Sequence, residues 1–485
     1  MKRIVFIAMH LSFIFALYIA ISLSFVQPSY AQEVPGGMGG KKMVHSQPNK
    51  PIAEELRSED LLNLNMNTGL EACVQISDIE PLKIDTVRIK RLKNKYVFFI
   101  TQPIDHWNLK VGTFKQMVVV AFAGTDRPNV LVTEGYTGKY ALNPAYDEEV
   151  ARLLNCNYVV VEHRYFNRSV PFMQEDSSIT WSNLNWDYMT ARQEAADLHN
   201  VRTLMGKLLK GKWAATGISK GGENCMAYTS FYPEDLACSV PYVGPVAFAQ
   251  EDRRPQPFIS DSCGTAEGRK IIYEFQKEVL KRRASFEPML SQWVAKNKMT
   301  TNLTISELLD YCVLEFPFAF WQWGYDPKII PSLNSSDDTI FNFFVRSVGP
   351  DYFQSWDDNA PFFVQAAKEL GYYPYNTKPL KGLLSIKSSR GYLRKIFLPG
   401  GRRFKFDKSL SKHITRFIST TSNNMIFVYG EWDPWSSVRP ANPGHENIKF
   451  YIAPGGSHRA RISNLPPQMK DEAIALLKKW LEVSD

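Results

Sequence analysis

Ser219, Asp433 and His458 have the types and the order needed for nucleophilic hydrolysis. Ser219 is the centre of Gly217-Ile218-Ser219-Lys220-Gly221, a G-x-S-x-G pattern followed by Gly222. A serine hydroxyl is a weak nucleophile at its own pKa and needs a base to take its proton. A neutral imidazole can take that proton and later hand it to a leaving amine. A carboxylate behind the imidazole orients it and stabilises its charged form. His458 and Asp433 are the candidates for these two roles, with Glu431 the nearest rival for the acid. Asp433 is preferred because it lies deeper in its loop, braced by Trp432, Pro434 and Trp435. The backbone N–H of Lys220 would point to where an oxyanion forms. A second donor is expected from the loop Glu134-Gly135-Tyr136-Thr137-Gly138. The Tyr136 N–H is the candidate there, and a plain turn is the alternative. A chain of this length meets G-x-S-x-G by chance often enough that its context must decide.

That context is a set of strands that must end at one level. Residues 212–216 read as a short buried strand and residues 224–228 as the start of a helix, the setting of a nucleophile elbow. Residues 425–429 read as a buried strand leading to Asp433, and 449–453 as another leading to His458. Acid and histidine are 25 residues apart, room for one connection and one strand. Upstream, 96–100, 117–122 and 130–132 read as strands. Residues 158–161 form a continuous apolar run, typical of a strand buried on both faces of a parallel sheet. Residues 238–246 read as a further strand and 187–209 as helical. Residues 470–481 read as an amphipathic closing helix with Ile474, Leu477 and Leu481 on one face. From 247 to 419 the pattern is mostly helical and rich in aromatics. The predicted fold class is therefore α/β: an α/β-hydrolase core with a mainly helical inserted cap. Residues 87–246 and 420–485 form the core, and 247–419 the cap.

The chain starts Met1-Lys2-Arg3, runs almost wholly apolar from 4 to 26, and continues to Ser29-Tyr30-Ala31. This predicts a signal peptide over 1–31, hence an exported protein, periplasmic or extracellular. An uncleaved membrane anchor is the rival. No stable membrane association is expected once the signal is removed. Residues 32–86 are expected to form a linker and N-terminal extension, with Gly-rich composition around 35–40. The formal charge is +8 for the full chain and +6 without residues 1–31, which carry Lys2 and Arg3 and no acidic residue. The basic residues are scattered, so no nucleic acid partner is expected. The clusters Lys281-Arg282-Arg283 and Arg402-Arg403 read as solvated faces. Six cysteines, at 73, 156, 225, 238, 263 and 312, allow up to three disulfides, or some buried thiols. Their spacing matches no zinc pattern. No metal or cofactor is expected, and the oligomeric state is not readable.

Further blocks join these in a fixed order. They are Gln102-Pro103-Ile104-Asp105-His106, Thr133-Glu134-Gly135-Tyr136, Glu162-His163-Arg164-Tyr165-Phe166, and the elbow with Lys220-Gly221-Gly222. Phe231-Tyr232-Pro233, Phe320-Trp321-Gln322-Trp323-Gly324, Asp433-Pro434-Trp435 and Ala453-Pro454-Gly455-Gly456-Ser457-His458 complete the series. Together they resemble the secreted serine tripeptidyl aminopeptidases, including prolyl tri- and tetrapeptidyl aminopeptidases, over about residues 87–465. The Glu-His-Arg-Tyr block is also similar to the lysosomal Pro-X carboxypeptidase and dipeptidyl peptidase family, which shares the core and the cap. The resemblance implies peptide substrates and release of short peptides from free N-termini, often with proline before the cut. Such an enzyme needs a buried anion to grip the substrate's α-ammonium. Glu134, Glu223 and Glu315 are candidates; Glu223, in the first turn of the elbow helix, reads first as a carboxylate suited to the helix dipole. Glu223-Asn224 departs from the apolar or hydroxyl residues expected at that place. Trp321 and Trp323 could line a proline pocket or belong to the cap core. Glu162 and Arg164 are expected to pair with each other beneath the site.

Four functions compete on the sequence. The first is an exported serine aminopeptidase that releases tripeptides or similar fragments. The second is a related exopeptidase cutting after proline near a C-terminus, which would need a cation in its pocket. The third is an esterase; the HGGG-type loop of many esterases is missing. The fourth is a non-catalytic binding protein on a hydrolase scaffold, against which the complete Ser, Asp and His set argues.

Overall fold

The computed structural model describes residues 76–172, 181, 184–354 and 359–483. The expected signal peptide, most of the linker and Cys73 lie outside these residues. Nine strands form one sheet: β1 Ile76–Pro81, β2 Asn94–Pro103, β3 Thr113–Phe122, β4 Asn129–Thr133, β5 Asn157–Val161, β6 Trp213–Ile218, β7 Cys238–Tyr242, β8 Asn424–Gly430 and β9 Ile448–Ala453. Their spatial order is β1-β2-β3-β5-β4-β6-β7-β8-β9. The first three and the β3–β5 pair run antiparallel, and every pair from β5 to β9 is parallel. All five residues of β4, β5 and β7 are buried, as expected of parallel strands covered on both faces.

Helices cover the faces: α1 Glu149–Leu154, α2 Ala191–Met205, α3 Lys220–Phe231 and the closing helix α12 Pro467–Leu481. Among the described residues eight α-helices lie between β7 and β8: α4 Pro255–Asp261, α5 Ala266–Lys281, α6 Arg283–Lys296, α7 Ile305–Trp323, α8 Asp337–Val348, α9 Ala360–Gln365, α10 Tyr392–Phe397 and α11 Ser409–Thr420. This is an α/β-hydrolase core with a helical insertion. The insertion has its own core, in which Phe275, Phe316, Phe343 and Phe344 pack together.

Several details differ from the sequence reading. β1 falls inside the expected 32–86 extension and pairs along β2. The strand expected over 238–246 ends at Tyr242, because Val243 takes a left-handed turn at φ 44°. Gly244 then packs on α3, where a Cβ would meet Gly222 at 2.8 Å. The helix expected over 187–209 is shorter, starting after the Thr190 cap and ending at Met205. Cys156, Cys225, Cys238, Cys263 and Cys312 are buried free thiols rather than disulfide partners. The basic cluster at 281–283 is not simply solvated. Arg282 joins Glu278 and Asp337 at 2.8 Å each, and Arg283 joins Glu287 and the buried Asp310.

Candidate active site

Ser219 stands where β6 turns into α3. Its backbone has φ 58° and ψ −120°, a conformation that a non-glycine residue keeps only where its surroundings enforce it. The Ser219 N–H donates to the Tyr242 carbonyl at 2.9 Å. The flanking glycines let the turn close. A Cβ on Gly217 would lie 2.1 Å from the Gly221 carbonyl oxygen, and one on Gly221 would lie 2.7 Å from that of Thr133. The Lys220 N–H heads α3, where the first amides have no intrahelical acceptor and the helix dipole favours negative charge.

β8 and β9 end level, with Gly430 opposite Ala453. Their loops then pack against each other. A Cβ on Gly430 would lie 2.3 Å from the Ser457 carbonyl oxygen, and the Trp432 N–H donates to the Gly456 carbonyl at 2.8 Å. This close approach brings His458 Nδ1 to 2.7 Å from Asp433 Oδ2. Asp433 Oδ1 accepts from the Trp435 N–H at 3.1 Å. Both side chains are buried. Glu431 turns outward instead and accepts from the Gly455 N–H at 2.7 Å. His458 Nε2 is buried without a hydrogen-bond partner among the described residues. With Nδ1–H given to Asp433, Nε2 keeps its lone pair. Ser219 and His458 line one cleft.

The cap closes that cleft. Trp323, Tyr352, Phe362, Tyr372, Tyr373 and Trp435 give it aromatic walls, and Lys220, Glu223 and Glu315 add titratable groups. The cap also holds the histidine loop, since the His458 N–H donates to the Gln322 carbonyl at 3.0 Å. Sequence reasoning missed Gln322 and most of the aromatic wall. The run Gly371-Tyr372-Tyr373-Pro374-Tyr375 was the signal available for the latter.

The remaining sequence candidates separate. Glu315 and Trp323 reach the cleft; Glu134 and Trp321 do not. The Glu134 carboxylate accepts from Tyr140 Oη at 2.6 Å and the Gly135 N–H at 2.9 Å. Burial raises its pKa, while these bonds and the Tyr136 N–H lower it. The Tyr136 amide is therefore drawn toward Glu134, although its ring lines the cleft. Trp321 belongs to the cap core, so close to Gly264 that a Cβ there would lie 2.1 Å from its ring. Glu315 accepts from Tyr373 Oη at 2.9 Å and Tyr375 Oη at 2.8 Å. Burial pushes its carboxyl up to about 8 against those bonds. Asn224 ties the elbow helix to the neighbouring loop by donating to the Glu134 carbonyl at 2.9 Å.

The expected Glu162–Arg164 pair is not made. Arg164 grips Asp197 through two bonds of 2.7 Å, with both side chains fully buried. Glu162 instead accepts from Thr137, Gly138, Asn167 and Ser169 at 2.8–3.0 Å. Both residues hold the loops behind the site. Among the described residues no group of three or more His, Cys, Asp or Glu is arranged to hold a metal ion.

The family model for PS-10 peptidase S37 matches residues 83–485. A prolyl tri/tetrapeptidyl aminopeptidase of Streptomyces mobaraensis is 30% identical over 397 residues, 79% of each chain. The serine protease vicPa of Bipolaris victoriae is 33% identical over 139 residues, 26% of this chain and 24% of that one. Among solved structures, proline iminopeptidase of Mycobacterium smegmatis aligns over 80% of this chain and all of its own, with TM-score 0.35 and 11% identity.

Proposed function

The chain belongs to peptidase family S37, the PS-10 serine peptidases, and from that premise we propose that it is an exported exopeptidase acting at free N-termini of peptides. It releases tripeptides or similar short fragments, with proline accepted before the cut. Ser219 attacks the carbonyl carbon while His458 Nε2 takes its proton. Asp433 holds Nδ1–H and steadies the imidazolium. The Lys220 N–H meets the oxyanion. His458 then passes the proton to the leaving amine, and water repeats the cycle on the acyl-enzyme.

The observation that carries this reading is the buried, unpartnered His458 Nε2, backed by Asp433 at 2.7 Å and sharing a cleft with Ser219. The aromatic walls support an apolar residue such as proline next to the cut. The named activity of the Streptomyces relative supports N-terminal release, and the basic-apolar-small pattern of residues 1–31 supports export.

One observation favours the carboxypeptidase reading: Lys220 places a cation in the cleft. Glu223 lines the same cleft and acts on it, which leaves Lys220 less free to receive a C-terminal carboxylate. The test is mass spectrometry of products from one proline-containing peptide, free and N-acetylated, with Ser219→Ala as blank. Loss of a short N-terminal fragment from the free peptide alone is expected. Release of C-terminal residues, or indifference to acetylation, would overturn the reading.

A further inference from the structure

The cleft holds two titratable side chains that the chemistry at Ser219 does not use. Lys220 and Glu223 stand three residues apart on α3, a spacing that puts them on one face of the helix. Both line the cleft and both are 2% exposed. Neither Lys220 Nζ nor Glu223 Oε1 has a hydrogen-bond partner among the described residues, and so they do not bond to each other. None of the other carboxylates acting on Lys220 lines the cleft. Glu369 accepts from the Ala191 N–H and Gln365, Glu134 accepts from Tyr140 and Gly135, and Glu194 accepts from the Arg164 N–H through one oxygen while the other is buried without a partner.

A buried polar atom without a partner costs free energy, and so does a buried charge. Burial raises the Glu223 carboxyl well above its ordinary 4.5, as expected where no partner holds its charge. A carboxyl group and an amine on one helix face, both facing one cleft, call for a ligand that donates to the first and accepts from the second. The first residue of a peptide does both: it has an ammonium that donates and, on the adjoining backbone atoms, a carbonyl that accepts. We propose that Glu223 and Lys220 together receive the substrate's N-terminal residue, the carboxylate accepting from its α-ammonium and the lysine amine donating to its carbonyl oxygen. This rests on the exopeptidase reading above.

Lys220 is built for a fixed position. Its Nζ lies 5.8 Å and 5.7 Å from the ring centroids of Tyr136 and Phe166. Burial lowers its pKa to about 7, against the pull of the surrounding carboxylates. Glu315 is the less suitable receptor, because both its oxygens already accept from Tyr373 and Tyr375. Glu223 lies one helical turn beyond Ser219, about 6 Å along the axis at 1.5 Å per residue. An extended peptide covers that in roughly two residues at about 3.4 Å each. The anchor therefore sets products of two or three residues.

The test measures kcat/KM and product masses for one peptide, free and N-acetylated, in the wild type, Glu223→Gln, Lys220→Met and Glu315→Gln. The wild type is expected to favour the free peptide roughly 100-fold or more, since a site built to bond a group rejects the analogue lacking it. Glu223→Gln should lower the free-peptide value about 100-fold and leave the acetylated one within about 3-fold, erasing the preference. Glu315→Gln should keep the preference. Lys220→Met should slow the amide substrate but not an isostere whose first carbonyl is a methylene. If Glu223→Gln keeps the preference, or Glu315→Gln removes it, the anchor is wrong and the exopeptidase reading survives. If the wild type shows no preference, that reading fails and takes this one with it. Should Glu223→Gln lack a cooperative melt, Glu223→Asp decides. A preference lowered about 10-fold or more supports the anchor, and an unaltered one overturns it.

Discussion

The backbone N–H of His458 donates to the carbonyl of Gln322 at 3.0 Å, so the last turn of a cap helix holds the loop that carries the imidazole. α7 ends there with Gly324 in the left-handed region at φ 71°. A Cβ on Gly324 would lie 2.9 Å from Ser457 Cβ and Oγ. Cap and core are thus joined at the residue next to the histidine. A change in the cap should reach the chemistry through this contact.

Gly324→Ala tests that link. An alanine there meets both an unfavourable φ and the Ser457 side chain, and should cost about 1–2 kcal/mol of stability. Moving the histidine loop by a fraction of an ångström should lower kcat more than it raises KM. Thermal melts and steady-state kinetics on one peptide check both. A variant that loses stability at full kcat would show that the histidine loop holds its place without the cap.

The two acidic residues after β8 should behave oppositely. Asp433→Asn keeps the shape but cannot hold Nδ1–H in the same way, and kcat should fall about 10⁴-fold, as when a triad acid becomes an amide. Glu431→Gln removes a charge from an exposed side chain and keeps an amide oxygen that can accept from the Gly455 N–H. It should cost no more than about 1 kcal/mol, with kcat nearly unchanged. Labelling by a serine-reactive phosphonate should follow kcat in both variants. The reverse ranking would transfer the acid role to Glu431.

The parts legible in the sequence were those written in local patterns. Ser219, Asp433 and His458 each follow a short apolar run, and such runs are what buried parallel strands require. The aromatic cap residues were less legible. Trp321 and Trp323 sit two apart in one helix, yet one is wedged against Gly264 and the other reaches the cleft. Helix-face geometry in a nearly all-apolar stretch does not reveal which side meets substrate. Tyr352, Phe362 and Tyr372 come from segments that only the folded cap brings together. The ion pairs were misread for a related reason. Arg164 lies two residues from Glu162 but its partner, Asp197, is on α2. Both residues lie past the end of β5, in a turn where sequence spacing does not fix which side chains meet, and charge finds its partner across the fold.

Asp197→Ala tests how much that buried pair matters. It would leave Arg164 fully buried without its carboxylate partner, with backbone carbonyls as its remaining acceptors, and would also remove the 2.7 Å contact from His106. The expected loss is about 3–5 kcal/mol, read as a shift of the urea midpoint. Glu162→Gln instead turns an amide toward several donors and should cost about 1–3 kcal/mol. If Asp197→Ala proves the milder of the two, the Arg164 clasp is not what holds the loops behind the site.

Glu315 gives the molecule a pH dependence that one substitution isolates. Its carboxyl is pushed from 4.5 up to about 8 by burial, with Tyr375 and Tyr373 pulling the other way. Between those two values the folded protein keeps a proton that the unfolded chain has lost. The native state binds more protons there, so stability must fall as pH rises, by at most about 1.4 kcal/mol per pH unit. The contribution is fully present below 4.5 and lost above about 8. Lys220 runs in the opposite sense, because its folded value is lowered from 10.5 to about 7 and its contribution is lost as pH falls through that window. The whole-protein profile mixes these, but the difference between wild type and Glu315→Gln does not. That difference, measured from urea midpoints at steps between pH 4.5 and 9, should decline with rising pH and then level off. Parallel curves would mean that Glu315 is ionised throughout, held by its two tyrosine hydroxyls, and would make it a standing anion in the cleft instead of a proton-bearing one.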